Sequence, residues 1–107
     1  MKVVTIDIIA KEWFDRVNGN SYFSAQITLN YGMTDSKTIK IGFTGGHSEY
    51  YVQKSGEVLK QLLYTDQEKY ETGGLKGLGS YCRDAGIILR TGIQTGCLKR
   101  TVKDWGE

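Results

Sequence analysis

The N-terminal half of the chain alternates between apolar and polar residues, most strictly in its second segment. There the apolar positions that would share one face are Phe23, Ala25, Ile27 and Leu29. A period of two residues is typical of a strand with one buried and one solvated face. We therefore predict a strand, and Asn18-Gly19 before it predicts a hairpin turn, because both residues tolerate positive φ.

The segments on either side of this strand follow the same period. The first has apolar positions at Val4, Ile6 and Ile8 and continues towards residues 13 and 14. The third has Ile39, Ile41 and Phe43 on its inward face. Three sequential strands joined by short turns predict an antiparallel meander.

After Gly45-Gly46 the apolar residues recur at helical spacing. Val52, Leu59 and Leu62 predict a helix over about residues 48–64, although Gly56 offers an alternative start in its middle. A second amphipathic helix is predicted over about residues 75–85, where Gly86 is placed to end it.

The C-terminal part predicts a short strand at Ile87-Ile88-Leu89 and a last strand from Cys97 to Val102. The one-sided strands require a cover, and the two amphipathic helices supply it. We therefore predict a single α+β domain over residues 1–107. Its antiparallel β-meander of three strands is joined by a C-terminal strand pair, with two helices packed on one face.

Composition narrows the class of protein. The chain has 107 residues, a net charge of +2 and no apolar run of the length that a membrane-spanning helix needs. Its apolar N-terminal stretch contains Asp7, which favours a strand over a signal peptide, so we expect a cytoplasmic protein without a membrane partner. Cys82 and Cys97 form no CxxC motif and are expected to be buried free thiols, although a disulfide stays open.

The turn that follows the third strand is the first candidate site. It places Gly45 and Gly46 before His47, the only histidine, and before Tyr50 and Tyr51. A strand-to-helix junction exposes backbone N–H groups that favour an anion, and tyrosine rings offer stacking surface. The alternative interpretation is a tight structural turn.

Basic residues of the C-terminal third are the second candidate. Residues 76–103 include six basic side chains and one acidic one, and Arg90, Lys99 and Arg100 flank the last predicted turn. Guanidinium groups suit phosphates, so we expect these residues to join the turn in one ligand-binding site. No catalytic, metal or cofactor signature is present in the sequence, and solvation alone would also explain the charges.

Three segments resemble small uncharacterised proteins encoded by bacteriophages and prophages. They are Gly19–Ala25, Ile41–Tyr50 and Ile88–Arg90, and the first contains the run Gly-Asn-Ser-Tyr-Phe-Ser-Ala. The resemblance covers the first half of the chain more closely than the last third. It implies a phage context and the cytoplasm of a host cell, and it implies no particular chemistry.

We therefore expect an accessory binding protein that sequesters or inhibits a host protein or a nucleotide-like anionic ligand, with an anti-defence role. One alternative is nucleic-acid binding through the basic C-terminal third. Another is an enzyme that uses His47 with a carboxylate or thiol partner. For the binding protein we also expect self-association, because small sheets expose edges that a second copy covers.

Overall fold

The computed structural model describes residues 2–46, 50–62, 64 and 77–107. These residues form an α+β domain, as predicted, with a four-stranded mixed sheet and three helices. The strands are β1 (Thr5–Asp15), β2 (Asn20–Leu29), β3 (Lys37–Gly45) and β4 (Ile88–Gln94). The helices are α1 (Tyr50–Gln61), α2 (Leu78–Ala85) and α3 (Lys99–Trp105).

The sheet has the strand order β3-β2-β1-β4. β2 pairs antiparallel with both β1 and β3, whereas β4 pairs parallel with β1. The β1–β2 turn is closed by the Asp15 carboxylate, which accepts the backbone N–H of Val17 at 3.0 Å and of Asn18 at 3.3 Å. Gly19 adopts a φ of 71° in this turn, whereas Asn18 does not adopt a positive φ.

The main core lies between one sheet face and the helices α1 and α2. The strands contribute Ile6, Ile8, Ala10, Phe23, Ala25, Ile27, Leu29 and Ile41. The helices contribute Tyr51, Leu59, Leu78, Tyr81 and Cys82. Helix α1 continues through Gly56, which is itself buried, so the alternative start after Gly56 is wrong.

The predicted last strand over residues 97–102 is wrong, because this segment leads into helix α3. Val102 is fully buried, and its carbonyl oxygen accepts a hydrogen bond from the hydroxyl of Ser24 on β2. Ser24 lies between Phe23 and Ala25, so α3 covers the face opposite the main core. The sheet is therefore covered on both faces, rather than by two helices on one face, and β4 pairs with β1 instead of a C-terminal partner.

A β-bulge in β3 overturns the predicted inward position of Phe43. Ala25 pairs with Ile41 and Phe23 pairs with Thr44, so Gly42 and Phe43 together stand opposite Ser24. The extra residue reverses the alternation that follows it. The ring of Phe43 consequently lies on the α3 face, beside Tyr22.

Candidate binding surface

Three aromatic side chains from adjacent strands stand side by side on the α3 face. Trp13 and Tyr22 are register partners, and their ring centroids are 5.6 Å apart with an interplanar angle of 28°. Tyr22 and Phe43 are 5.1 Å apart and nearly parallel, at 7°. The ring centroids of Trp13 and Phe43 are themselves 6.3 Å apart, at an interplanar angle of 35°, so the three rings form a compact cluster. All three residues are half-buried. The bulge in β3 is what completes this cluster.

Two lysines of α3 lie over Trp13 and Phe43. The ammonium of Lys99 is 5.2 Å from the ring centroid of Trp13, and that of Lys103 is 5.5 Å from the centroid of Phe43. Their spacing of four residues puts both on one side of the helix. These five residues, Trp13, Tyr22, Phe43, Lys99 and Lys103, form what we call the aromatic–lysine surface.

The cations of α3 are available for an anionic group. Lys99, Arg100 and Lys103 are exposed, and none of them forms an ion pair with another described residue. Lys99 lies close enough to Asp15 for its charge to act on that carboxylate. The Asn18 amide chiefly holds the pKa of Asp15 below its ordinary value of 3.8, and the charge of Lys99 acts in the same direction.

The glycines of the predicted turn serve local packing. Gly46 has a φ of 153°, and a Cβ there would collide with the ring of Tyr50. Its backbone N–H donates to the carbonyl oxygen of Ser21 at 3.0 Å, so it is not directed at a ligand. Gly45 ends β3 as the register partner of Tyr22.

The two tyrosines after this turn have different environments. Tyr51 is 5% exposed and belongs to the main core, so its proposed stacking role is wrong. Tyr50 is 36% exposed and meets the ring of Phe23 edge-on at 5.9 Å. His47 lies outside the described residues, and its role stays a prediction.

Arg90 is separated from the turn and already has a partner. Its side chain contacts the carboxylate of Asp7, with which it is in register. Gly45 lies on β3 at one edge of the sheet, whereas Arg90 lies on β4 at the other edge. Across the sheet, Gly45 is aligned with Trp13 of β1, whereas Arg90 is aligned with Asp7, six residues earlier on β1. This offset and three strand spacings separate Gly45 from Arg90 by roughly 25 Å. The fold therefore does not bring Arg90 together with Gly45 and Gly46.

An open cleft of about 490 Å³ lies at the end of the sheet beside the turn. It is lined by Phe14, Gly19, Asn20, Ser21, Tyr22, Gly45 and Gly46. Tyr22 is shared between this cleft and the aromatic–lysine surface, so the two features are continuous. The cleft lining contains no charged side chain.

The two cysteines are free thiols. Cys82 is buried in the main core, as predicted, and burial raises its pKa to about 11. Cys97 is half-buried, and its thiol contacts the carbonyl oxygen of Gln94. Among the described residues no group of three or more His, Cys, Asp or Glu side chains is arranged to hold a metal ion.

Within the described ranges no helix combines the length and the apolarity that crossing a bilayer requires. The chain matches no protein-family model, no curated protein and no solved structure. The resemblance to phage-encoded proteins accordingly stays a prediction.

Lys99 and Arg100 were predicted from the sequence as ligand contacts, whereas Trp13, Phe43 and Lys103 were not. One available signal was the spacing of Lys99 and Lys103, which are four residues apart, as on one side of a helix. The position of Phe43 had no comparable signal, because it depends on a bulge rather than on regular alternation.

Proposed function

We propose that this protein is an accessory binding protein for a nucleotide-like anionic ligand, and that the aromatic–lysine surface is its contact site. One observation supports this most directly. Lys99 and Lys103 lie over two rings of a three-ring cluster and form no ion pair with another described residue.

The chemistry of this surface suits a base joined to a phosphate. Aromatic rings that are only half-buried offer flat apolar area to a nucleobase. The ammonium groups of Lys99 and Lys103 offer several N–H donors, and Arg100 adds a planar guanidinium on the same short helix. A phosphate that binds these cations would hold its base within reach of the rings.

The surface also explains why a binding role is preferred to an enzymatic one. A cation over a ring is attracted to it, so the lysines are oriented before a ligand arrives. We therefore propose recognition and sequestration of the ligand, in the phage context that the resemblance implies, without a chemical step.

Titration calorimetry with ATP, GTP and a cyclic dinucleotide tests this proposal. We expect binding by the native chain, and a loss of affinity of at least about tenfold in Lys99→Gln/Lys103→Gln, because two charge-assisted contacts are removed. Lys37→Gln is the matched control, since Lys37 also lies over a ring, that of Tyr64, at 5.3 Å but at the other end of β3.

Thermal unfolding verifies that each variant is folded under the conditions of the titration. Absence of binding to any nucleotide, or equal loss in the Lys37 control, would contradict the proposal. Single-stranded oligonucleotides of increasing length distinguish the alternative. Affinity that rises steeply with length and falls steeply with salt would identify nucleic acid, rather than a free nucleotide, as the ligand.

A further inference from the structure

Among the described residues, the outer edge of β4 has no paired strand, and the strand itself contains no proline or bulge. The Ile88 N–H donates to the Val4 carbonyl, so alternate residues of β4 direct their backbone groups to β1. Leu89, Thr91 and Ile93 therefore direct theirs outward, where no described strand lies. Ile88 and Ile93 are 58% and 37% exposed.

By comparison, the outer edge of β3 is protected against pairing with another strand. β3 contains the bulge at Gly42 and Phe43, and it presents Lys37 and Lys40. Lys40 also donates to the carbonyl oxygen of Glu107 at 2.7 Å, which ties the end of the chain to this edge. Bulges and lysines are common means of blocking edge-to-edge association. Of the two edges, β4 is the one suited to a partner.

We propose that β4 pairs antiparallel with β4 of a second copy about a two-fold axis at Thr91. This register makes residues 89, 91 and 93 the hydrogen-bonded positions, which matches the outward direction of their backbone groups, and gives about six hydrogen bonds between the two chains. The two four-stranded sheets then form one continuous sheet.

The side chains of β4 favour this register over other registers of the same strand pair. Leu89 of each copy stands opposite Ile93 of the other. Both side chains lie on the face of the main core, because Leu89 pairs with Ile6 and Ile93 pairs with Ala10 of β1. Apolar pairs directly opposite each other stabilise a sheet. Arg90, the only charged residue of β4, stands opposite Gly92, and Asp7 already neutralises it. No like charges therefore meet across the axis.

The strand pair alone buries less surface than the roughly 1,200–2,000 Å² of a typical stable interface. We therefore expect a dimer that dissociates on dilution, in the micromolar range. Sedimentation equilibrium of the native chain measures this. Thr91→Lys places two lysines directly opposite each other and is expected to weaken the dimer at least about tenfold. Gln94→Lys is the control, because its counterpart across the axis is Ile88.

Cross-linking tests the register separately. In a Cys97→Ser background, Thr91→Cys brings two thiols to a Cα separation of about 5.5 Å, which a disulfide accepts. Mild oxidation is expected to give a covalent dimer at least about tenfold faster than Gln94→Cys, whose symmetry mates are about 20 Å apart. Thr91 is exposed, and circular dichroism verifies that each variant is folded. A monomer at all concentrations, or equal cross-linking rates, would overturn the proposal.

Discussion

The guanidinium of Arg90 meets the carboxylate of Asp7 through two contacts, with Nε 2.6 Å from Oδ1 and Nη2 2.9 Å from Oδ2. The two residues are register partners on the parallel strands β4 and β1. The geometry is that of a paired arginine–carboxylate contact, and it occupies donors that a phosphate would otherwise use. Arg90 thus joins two strands instead of contributing a free cation.

Arg90→Ala is therefore expected to leave nucleotide affinity unchanged within about twofold, in contrast to the Lys99 and Lys103 variants. The free energy of unfolding should fall by no more than about 1 kcal/mol, because the Arg90 side chain is 57% exposed and water screens the pair. Titration calorimetry and urea unfolding measure the two effects. Strong loss of ligand binding on this change would return Arg90 to the binding site.

Asn30 is predicted to be one of the least replaceable polar residues. It is fully buried with a φ of 52°, and its Oδ1 accepts the Val4 N–H at 2.7 Å while its Nδ2 donates to the Lys2 carbonyl at 2.8 Å. Asn30→Gly retains the backbone conformation but removes these bonds, so we expect a loss of about 2–4 kcal/mol in the free energy of unfolding.

Asn18→Ala is the comparison for Asn30, because the side-chain amide of Asn18 also forms a hydrogen bond, to the carboxylate of Asp15, but on the exposed β1–β2 turn. We expect it to lower the free energy of unfolding by less than about 1 kcal/mol. Similar losses for both variants in urea unfolding would show that burial of the Asn30 bonds has no special effect.

The regular part of the fold could be predicted from the sequence because alternation is local. Phe23, Ala25 and Ile27 follow one period, and the Asn-Gly turn marks where β2 begins. The position of Phe43 could not be predicted in this way, because one bulged residue reverses every face that follows it. The parallel pairing of β4 with β1 depends on how α1 and α2 cross the sheet, which no local pattern specifies.

The aromatic–lysine surface could be predicted only in part, because contacts between distant segments leave no local pattern. Lys99 and Arg100 were selected for their charge, which is visible in the sequence. The residues that lie near them depend on the position of α3. This helix could not be recognised from the sequence, because its seven residues span too few turns to produce a clear helical period. Tyr51 was selected as a ligand contact but is buried. Its position beside a glycine turn gave no local sign of this burial.

Gly106 is predicted to be required for docking the end of α3. A Cβ at this position would lie 2.6 Å from the Ile41 carbonyl oxygen and 2.8 Å from Gly42 Cα and Ser24 Cβ. Because two of these atoms are backbone, Gly106→Ala should destabilise the protein by about 1–3 kcal/mol. It should also shift the fluorescence of Trp105, whose indole N–H donates to the Ile9 carbonyl at 2.9 Å.

Gly79→Ala provides the opposite expectation within the same chain. Gly79 lies in α2, and a Cβ there would meet nothing within 4 Å. Alanine is the better helix former, so the free energy of unfolding should rise by about 0.5–1 kcal/mol. A destabilised Gly79→Ala, or a neutral Gly106→Ala, would contradict the packing described for these two glycines.

The two thiols are predicted to differ sharply in reactivity. Burial raises the pKa of Cys82 to about 11, so almost none of it is thiolate near pH 8. With a disulfide reagent, the folded native chain should show one fast thiol, from Cys97, and a second only on unfolding. Cys97→Ser should abolish the fast phase, and two fast thiols in the folded chain would contradict the burial of Cys82.

The same pKa gives a pH dependence of stability. The ordinary pKa is 9.0, so between about pH 9 and pH 11 the unfolded chain loses the Cys82 proton while the folded chain retains it. The unfolded state is then favoured, and the free energy of unfolding falls as pH rises through this window, with no contribution below it. Cys82→Ala removes this component, although lysines and tyrosines still titrate. Urea unfolding at pH 8 and pH 10.5 should therefore show a larger decrease for the native chain than for Cys82→Ala.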